Sequence, residues 1–76
     1  MASTLRILAR DRFGQLPDGL AIFEGTREIG ATGEWLLLAP RVYLLRIRLP
    51  DGTLSPEQSL VLADAEQRTE QVTVDA

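Results

Sequence analysis

The 76-residue chain has no cysteine, no histidine and no lysine. Without cysteine, neither a disulfide framework nor a thiolate metal site can staple the fold. Without histidine, the commonest general base and the commonest metal ligand are both missing. Aromatic residues are few: Phe13, Phe23, Trp35 and Tyr43. Long apolar runs are missing too, since Trp35 to Pro40 is about six residues, against the ~20 that a membrane-spanning helix needs. The opening Met1-Ala2-Ser3-Thr4-Leu5-Arg6 has no apolar h-region, so a cytoplasmic protein is expected.

What is present is ordinary globular composition, 45% hydrophobic and 25% charged, which argues against disorder. The length fits one domain over residues 1–76 with a narrow stability margin. The net charge of −3 has the wrong sign for a nucleic-acid binder that works through bulk charge. All eight basic residues are arginine, whose planar fork matches carboxylates in a way that lysine cannot. Charge is unevenly spread: residues 1–48 hold seven arginines against five carboxylates, and residues 49–76 hold one against six. One end of the chain can therefore meet a partner electrostatically.

Period-2 alternation dominates. Leu5, Ile7 and Ala9 alternate with Arg6, Leu8 and Arg10, as in a half-buried strand. Asp11-Arg12-Phe13-Gly14 and Gln15-Leu16-Pro17-Asp18-Gly19 are turn clusters. Leu20 to Glu24 reads as a second strand, Arg27-Glu28-Ile29 as an edge strand or loop, and Glu34 to Leu38 as a run that is apolar on both faces. In Val42 to Leu49, the residues Tyr43, Leu45, Ile47 and Leu49 share one face, and Leu44, Arg46 and Arg48 the other. Ser55-Pro56-Glu57-Gln58 has the form of a helix start. No apolar stripe continues beyond it, so Gln58–Leu62 and Arg68–Val74 are read as strands joined by a turn. Six or seven short strands at regular spacing predict an all-β fold, a small antiparallel β-sandwich.

Five pieces occur in a telling order: Asp11-Arg12-Phe13-Gly14, Leu16-Pro17-Asp18-Gly19, Gly30-Ala31-Thr32-Gly33, Trp35-Leu36-Leu37 and Leu38-Ala39-Pro40-Arg41-Val42-Tyr43. With them the chain resembles the carboxypeptidase regulatory-like (transthyretin-like) β-sandwich, a relative of PEGA and bacterial Ig-like modules, from about Leu5 to Val74. Arg41 stands where that family usually has a turn glycine, and the segment from Gly33 to Leu38 is shortened. The resemblance implies a prealbumin- or Ig-like sandwich that folds, spaces or binds and carries no catalytic residue. Tyr43 resembles the buried tyrosine that begins a late strand and bonds nearby backbone.

The residues give chemistry little support. Ser3, Ser55 and Ser59 have no histidine or lysine to activate them. Asp11, Asp18, Asp51 and Asp64 fall in turns without the spacing of a calcium loop, so they are read as turn formers. No catalytic, cofactor-binding or metal-ligating residue is expected. Trp35 is read as core, with an exposed sugar-stacking role as the alternative. Placing Leu5/Ile7, Trp35/Leu37 and Tyr43/Leu45/Ile47 inward turns Leu8, Leu36 and Leu44 outward on faces shared with Arg6, Arg10, Arg46 and Arg48, and the three leucines with Arg6, Arg46 and Arg48 are the expected contact surface. An apolar patch rimmed by arginine is typical of protein interfaces.

The expected function is thus a non-catalytic interaction module. Taken as a whole chain, it is a small accessory subunit or adaptor bound to a larger protein or to itself. Two alternatives are a carbohydrate-binding module and a ubiquitin-like β-grasp protein. The β-grasp fold would need a helix where Pro17, Gly19 and Gly25 stand, and the tail Val74-Asp75-Ala76 lacks a diglycine.

Overall fold

The computed structural model describes residues 2–74, so Asp75 and Ala76 of the tail lie outside the described residues. Eight strands follow one another: β1 Ser3–Asp11, β2 Gly14–Gln15, β3 Ala21–Glu24, β4 Arg27–Ala31, β5 Trp35–Leu38, β6 Val42–Ile47, β7 Gln58–Val61 and β8 Gln67–Thr73. There is no helix among the described residues, which removes the β-grasp alternative. The strands form two sheets, as expected of a small β-sandwich.

In the first sheet β1 is central. Arg10 pairs with Thr73 of β8 on one edge and Gln15 of β2 on the other, so β5, which pairs with Ser3 to Arg6, shares the β2 edge. The second sheet runs β4-β3-β6-β7. All pairs are antiparallel except β1 and β8, which are parallel over Thr4 to Arg10.

Alternation places the core where the sequence puts it on most strands. Leu5, Ile7 and Ala9 from β1 meet Ile22, Tyr43, Leu45 and Ile47 from the second sheet, and Leu60, Leu62 and Val74 close one side. Tyr43 is buried, and its hydroxyl donates to the Ala39 carbonyl at 2.5 Å. This is the backbone-bonding role that the resemblance implied, and it pins the β5–β6 turn to the second sheet.

The segment after Gly52 shows why helix-start chemistry yields to tertiary context. Ser55 is buried, and its Oγ accepts from the Ile47 N–H at 2.9 Å and donates to the Pro56 carbonyl. The Ser55 N–H also bonds the Ile47 carbonyl. A serine that completes the end of β6 is not free to cap a helix, and the chain continues into β7.

The β4–β5 connection ties the sheets together. Thr32 is buried, and its Oγ1 accepts from the Leu20 N–H, while the Gly33 N–H donates to Ile7 of β1. Gly33 has φ +87°, and a Cβ there would sit 2.5 Å from Asp18 Cγ. Only glycine satisfies both the left-handed backbone and the close approach.

Candidate interaction surface

In an antiparallel pair, directly opposed residues share a face of the sheet. Leu5 is fully buried and Leu36 lies opposite it, so Leu36 faces the core, 7% exposed. Trp35 and Leu37 face outward, 45% and 74% exposed. This corrects the sequence reading of β5 on three residues: Leu36 is core, while Trp35 and Leu37 are surface. The physical reason is that Trp35-Leu36-Leu37-Leu38 offers no polar residue to set its phase, so register with β1 decides it. Gly30 fits the result, because a Cβ at that position would collide with the Leu36 side chain.

The six residues expected to form one patch are therefore separated. Arg6 and Leu8 lie on the outer face of the first sheet. Leu44, Arg46 and Arg48 lie on the outer face of the second. Leu36 lies between the sheets and belongs to neither surface.

The outer face of the second sheet keeps half of the expected patch and extends it. Leu44 is 47% exposed, and beside it Val42 of β6 and Val61 of β7 are opposed across the ladder and more than half exposed. Arg46 opposes Phe23, and the Arg48 guanidinium lies 5.0 Å from the Phe23 ring centre. Val42 shares the phase of Leu44 and was legible on that ground. Val61 and Phe23 join the row through strand pairing, which spacing along one strand does not show.

The outer face of the first sheet centres on Arg6 and Trp35, directly opposed on β1 and β5. The Arg6 guanidinium stands 4.7 Å from the indole centre, and Arg6 Nε is buried with no hydrogen-bond partner. On the other side of β1, the outward residues of β8 are Gln67, Thr69, Gln71 and Thr73. Gln71 donates to the Gln15 amide oxygen at 3.0 Å.

Arg41 stacks 4.0 Å from the Tyr43 ring centre and forks onto Glu24 at 2.6 and 2.9 Å. That hydrogen bond holds the Glu24 carboxyl below its usual range. Two of the four turn aspartates act as turn formers: Asp11 accepts from the Phe13 N–H, and Asp51 from the Thr53 N–H and hydroxyl. The bonds from Thr53, the backbone N–H first, lower the Asp51 pKa. Among the described residues no three acidic side chains converge as a metal site would require. The cavity between the sheets, bordered by Ile7, Ile47, Leu60 and Val72, holds about 30 Å³. That is room for a few waters at most, far below the several hundred Å³ of a small-molecule pocket. No helix among the described residues is long and apolar enough to cross a membrane.

Comparison with protein-family models and with curated proteins returns no match to this chain.

Proposed function

We propose that this chain is a non-catalytic protein-interaction module of the carboxypeptidase regulatory-like (transthyretin-like) kind, working in the cytoplasm as a small accessory subunit or adaptor. Its docking surface is the outer face of the second sheet, and its partner is a larger protein whose contact area is apolar at the centre and acidic at the rim. One observation carries the reading: Val61, Val42 and Leu44 form an exposed apolar row that leads directly into Arg46 and Arg48. The leucine and valines supply area, and the arginines take carboxylates bidentately. The absence of histidine, lysine and cysteine supports a non-catalytic role.

Geometry also sets the strength of the contact. Four strands ~4.8 Å apart and about five residues long present roughly 300–400 Å² in projection, against about 800 Å² per partner in a standard stable interface. A contact confined to this face is a weak one, and a lasting complex recruits the surrounding loops as well.

The test is a tagged pull-down from native lysate with mass-spectrometric identification, run beside Leu44→Glu. A stoichiometric protein captured by the wild type and lost in the variant is the expected result. Capture of no partner by either form would overturn the adaptor reading.

A carbohydrate-binding module is the second reading, favoured by one observation, the half-exposed Trp35. A sugar ring would have to compete with Arg6 for the indole face.

A further inference from the structure

We infer that the outer face of the first sheet is a second binding surface, and that its ligand is an acidic, extended segment of another protein, seated with a carboxylate on Arg6 and apolar side chains against Trp35 and Leu37. This goes beyond the docking face on the opposite sheet and does not depend on it.

The charge pattern is the first support. The chain carries net charge −3. Yet among the described residues the strand positions of this face hold Arg6 and Arg10 and no carboxylate. Its remaining polar groups on β8 are the neutral side chains of Gln67, Thr69, Gln71 and Thr73. An acidic protein that keeps one face free of acid presents a local positive field to anionic ligands.

The second support is the state of Arg6. Its guanidinium is held against the Trp35 ring, and its Nε is buried without a hydrogen-bond partner. Holding the fork in advance reduces the side-chain entropy lost when a carboxylate docks. Tryptophan and arginine together are also the residue types that dominate measured interface energies.

The third support concerns which ligand fits. A second copy of this chain would set Arg6 and Arg10 against themselves. A pyranose stacked on the Arg6 side of the indole would displace that guanidinium. A protein segment can satisfy both kinds of group at once: its carboxylate meets Arg6 and its apolar side chains cover the exposed Trp35 and Leu37.

Trp35 is the only tryptophan, so its fluorescence reports this face alone. The full chain is titrated with poly-L-glutamate at low ionic strength, and in parallel with polygalacturonate and neutral dextran. Poly-L-glutamate is expected to change Trp35 emission saturably. The apparent affinity falls at least tenfold in Arg6→Gln and falls again when salt is raised to 0.5 M, consistent with screening within about 5 Å. Arg6→Lys keeps the charge but loses the fork, and it binds between the two. Leu44→Glu, on the opposite sheet, binds as the wild type does, which separates this site from the proposed docking face. The inference is overturned by an unchanged emission, by equal affinity in Arg6→Gln, or by a response to polygalacturonate or dextran that matches poly-L-glutamate. Should Arg6→Gln alter the far-UV circular dichroism, Arg10→Gln replaces it, and retention of full affinity in that variant refutes the charge argument.

Discussion

Leu36→Ala, made beside Leu37→Ala and Trp35→Ala, tests which face of β5 is buried. Leu36 is 7% exposed and packs in the core with Leu5 opposite it. Truncation to alanine removes three carbon atoms, which at ~0.8 kcal/mol each is about 2.4 kcal/mol of transfer energy before any cavity is counted. With the cavity, the loss is about 3 kcal/mol, within the range of roughly 2–5 for such substitutions. A domain of 76 residues holds only about 4–11 kcal/mol in total, so this one change removes a large share. At ~4–8 °C per kcal/mol for a domain of this size, the Tm falls by roughly 12–24 °C. Leu37 is 74% exposed, and its truncation costs about 0.5 kcal/mol or less. Trp35→Ala is intermediate, because it forfeits a half-buried ring and a cation–π contact worth about 0.5–1 kcal/mol. The assay is thermal unfolding followed by far-UV circular dichroism, checked by urea titration with an unchanged m-value. A Leu37→Ala loss equal to or greater than that of Leu36→Ala would refute the register and restore the opposite phase.

Ser55→Ala leaves the Ile47 N–H without its hydroxyl acceptor at a buried position; a cost of about 1–3 kcal/mol is expected, read as a lower urea midpoint and faster amide exchange at Ile47, and a neutral result would refute the role given to Ser55. The Glu24–Arg41 pair gives a pH signature. Because the folded-state pKa of Glu24 is lowered by the Arg41 hydrogen bond, its contribution is present above the unfolded value near 4.3 and is lost as pH falls through the lowered one. The Tm difference between wild type and Arg41→Gln should be small but positive at about pH 6 and shrink near pH 3 to the pH-independent remainder left by the lost stacking on Tyr43, while the lowered Asp51 carboxyl is common to both proteins and cancels. A difference that grows on acidification would be inconsistent with the pair.

The fold was legible wherever polar and apolar residues alternate. Val42 to Leu49 spells its two faces residue by residue, and the structure buries Tyr43, Leu45 and Ile47 while exposing Leu44, Arg46 and Arg48. In the last third, the short apolar burst Leu60-Val61-Leu62 outweighed the helix-start pattern at Ser55, and β7 and β8 formed as read. What alternation does not encode is pairing partners. The parallel pairing of β8 with β1 joins residues about 63 positions apart, and nothing local to either strand specifies it. The two-residue β2 was hidden inside a turn cluster for a related reason: its two residues are a ladder only because Arg10 and Asp11 lie opposite.

The candidate surface was half legible, and the missing half follows from one physical fact. A strand that is apolar on both faces can be shifted by one residue without violating its own pattern, and each shift exchanges its core and surface sets. In β5 that exchange moved Leu36 into the core and brought Trp35 and Leu37 out beside Arg6. The consequence is larger than one misplaced leucine. With Leu36 outward, the arginines and leucines belong to a single notional patch; with Trp35 outward, each sheet has its own apolar centre and its own arginines. The two faces differ in charge: the strands of the first sheet's outer face carry Arg6 and Arg10 and no carboxylate, whereas the second sheet's outer face sets Glu28, opposite Phe23, near Arg46. Arg6 thus lies opposite Trp35 on one face and Arg46 opposite Phe23 on the other, a division that one residue of register in β5 decides and that no pattern within β5 reveals.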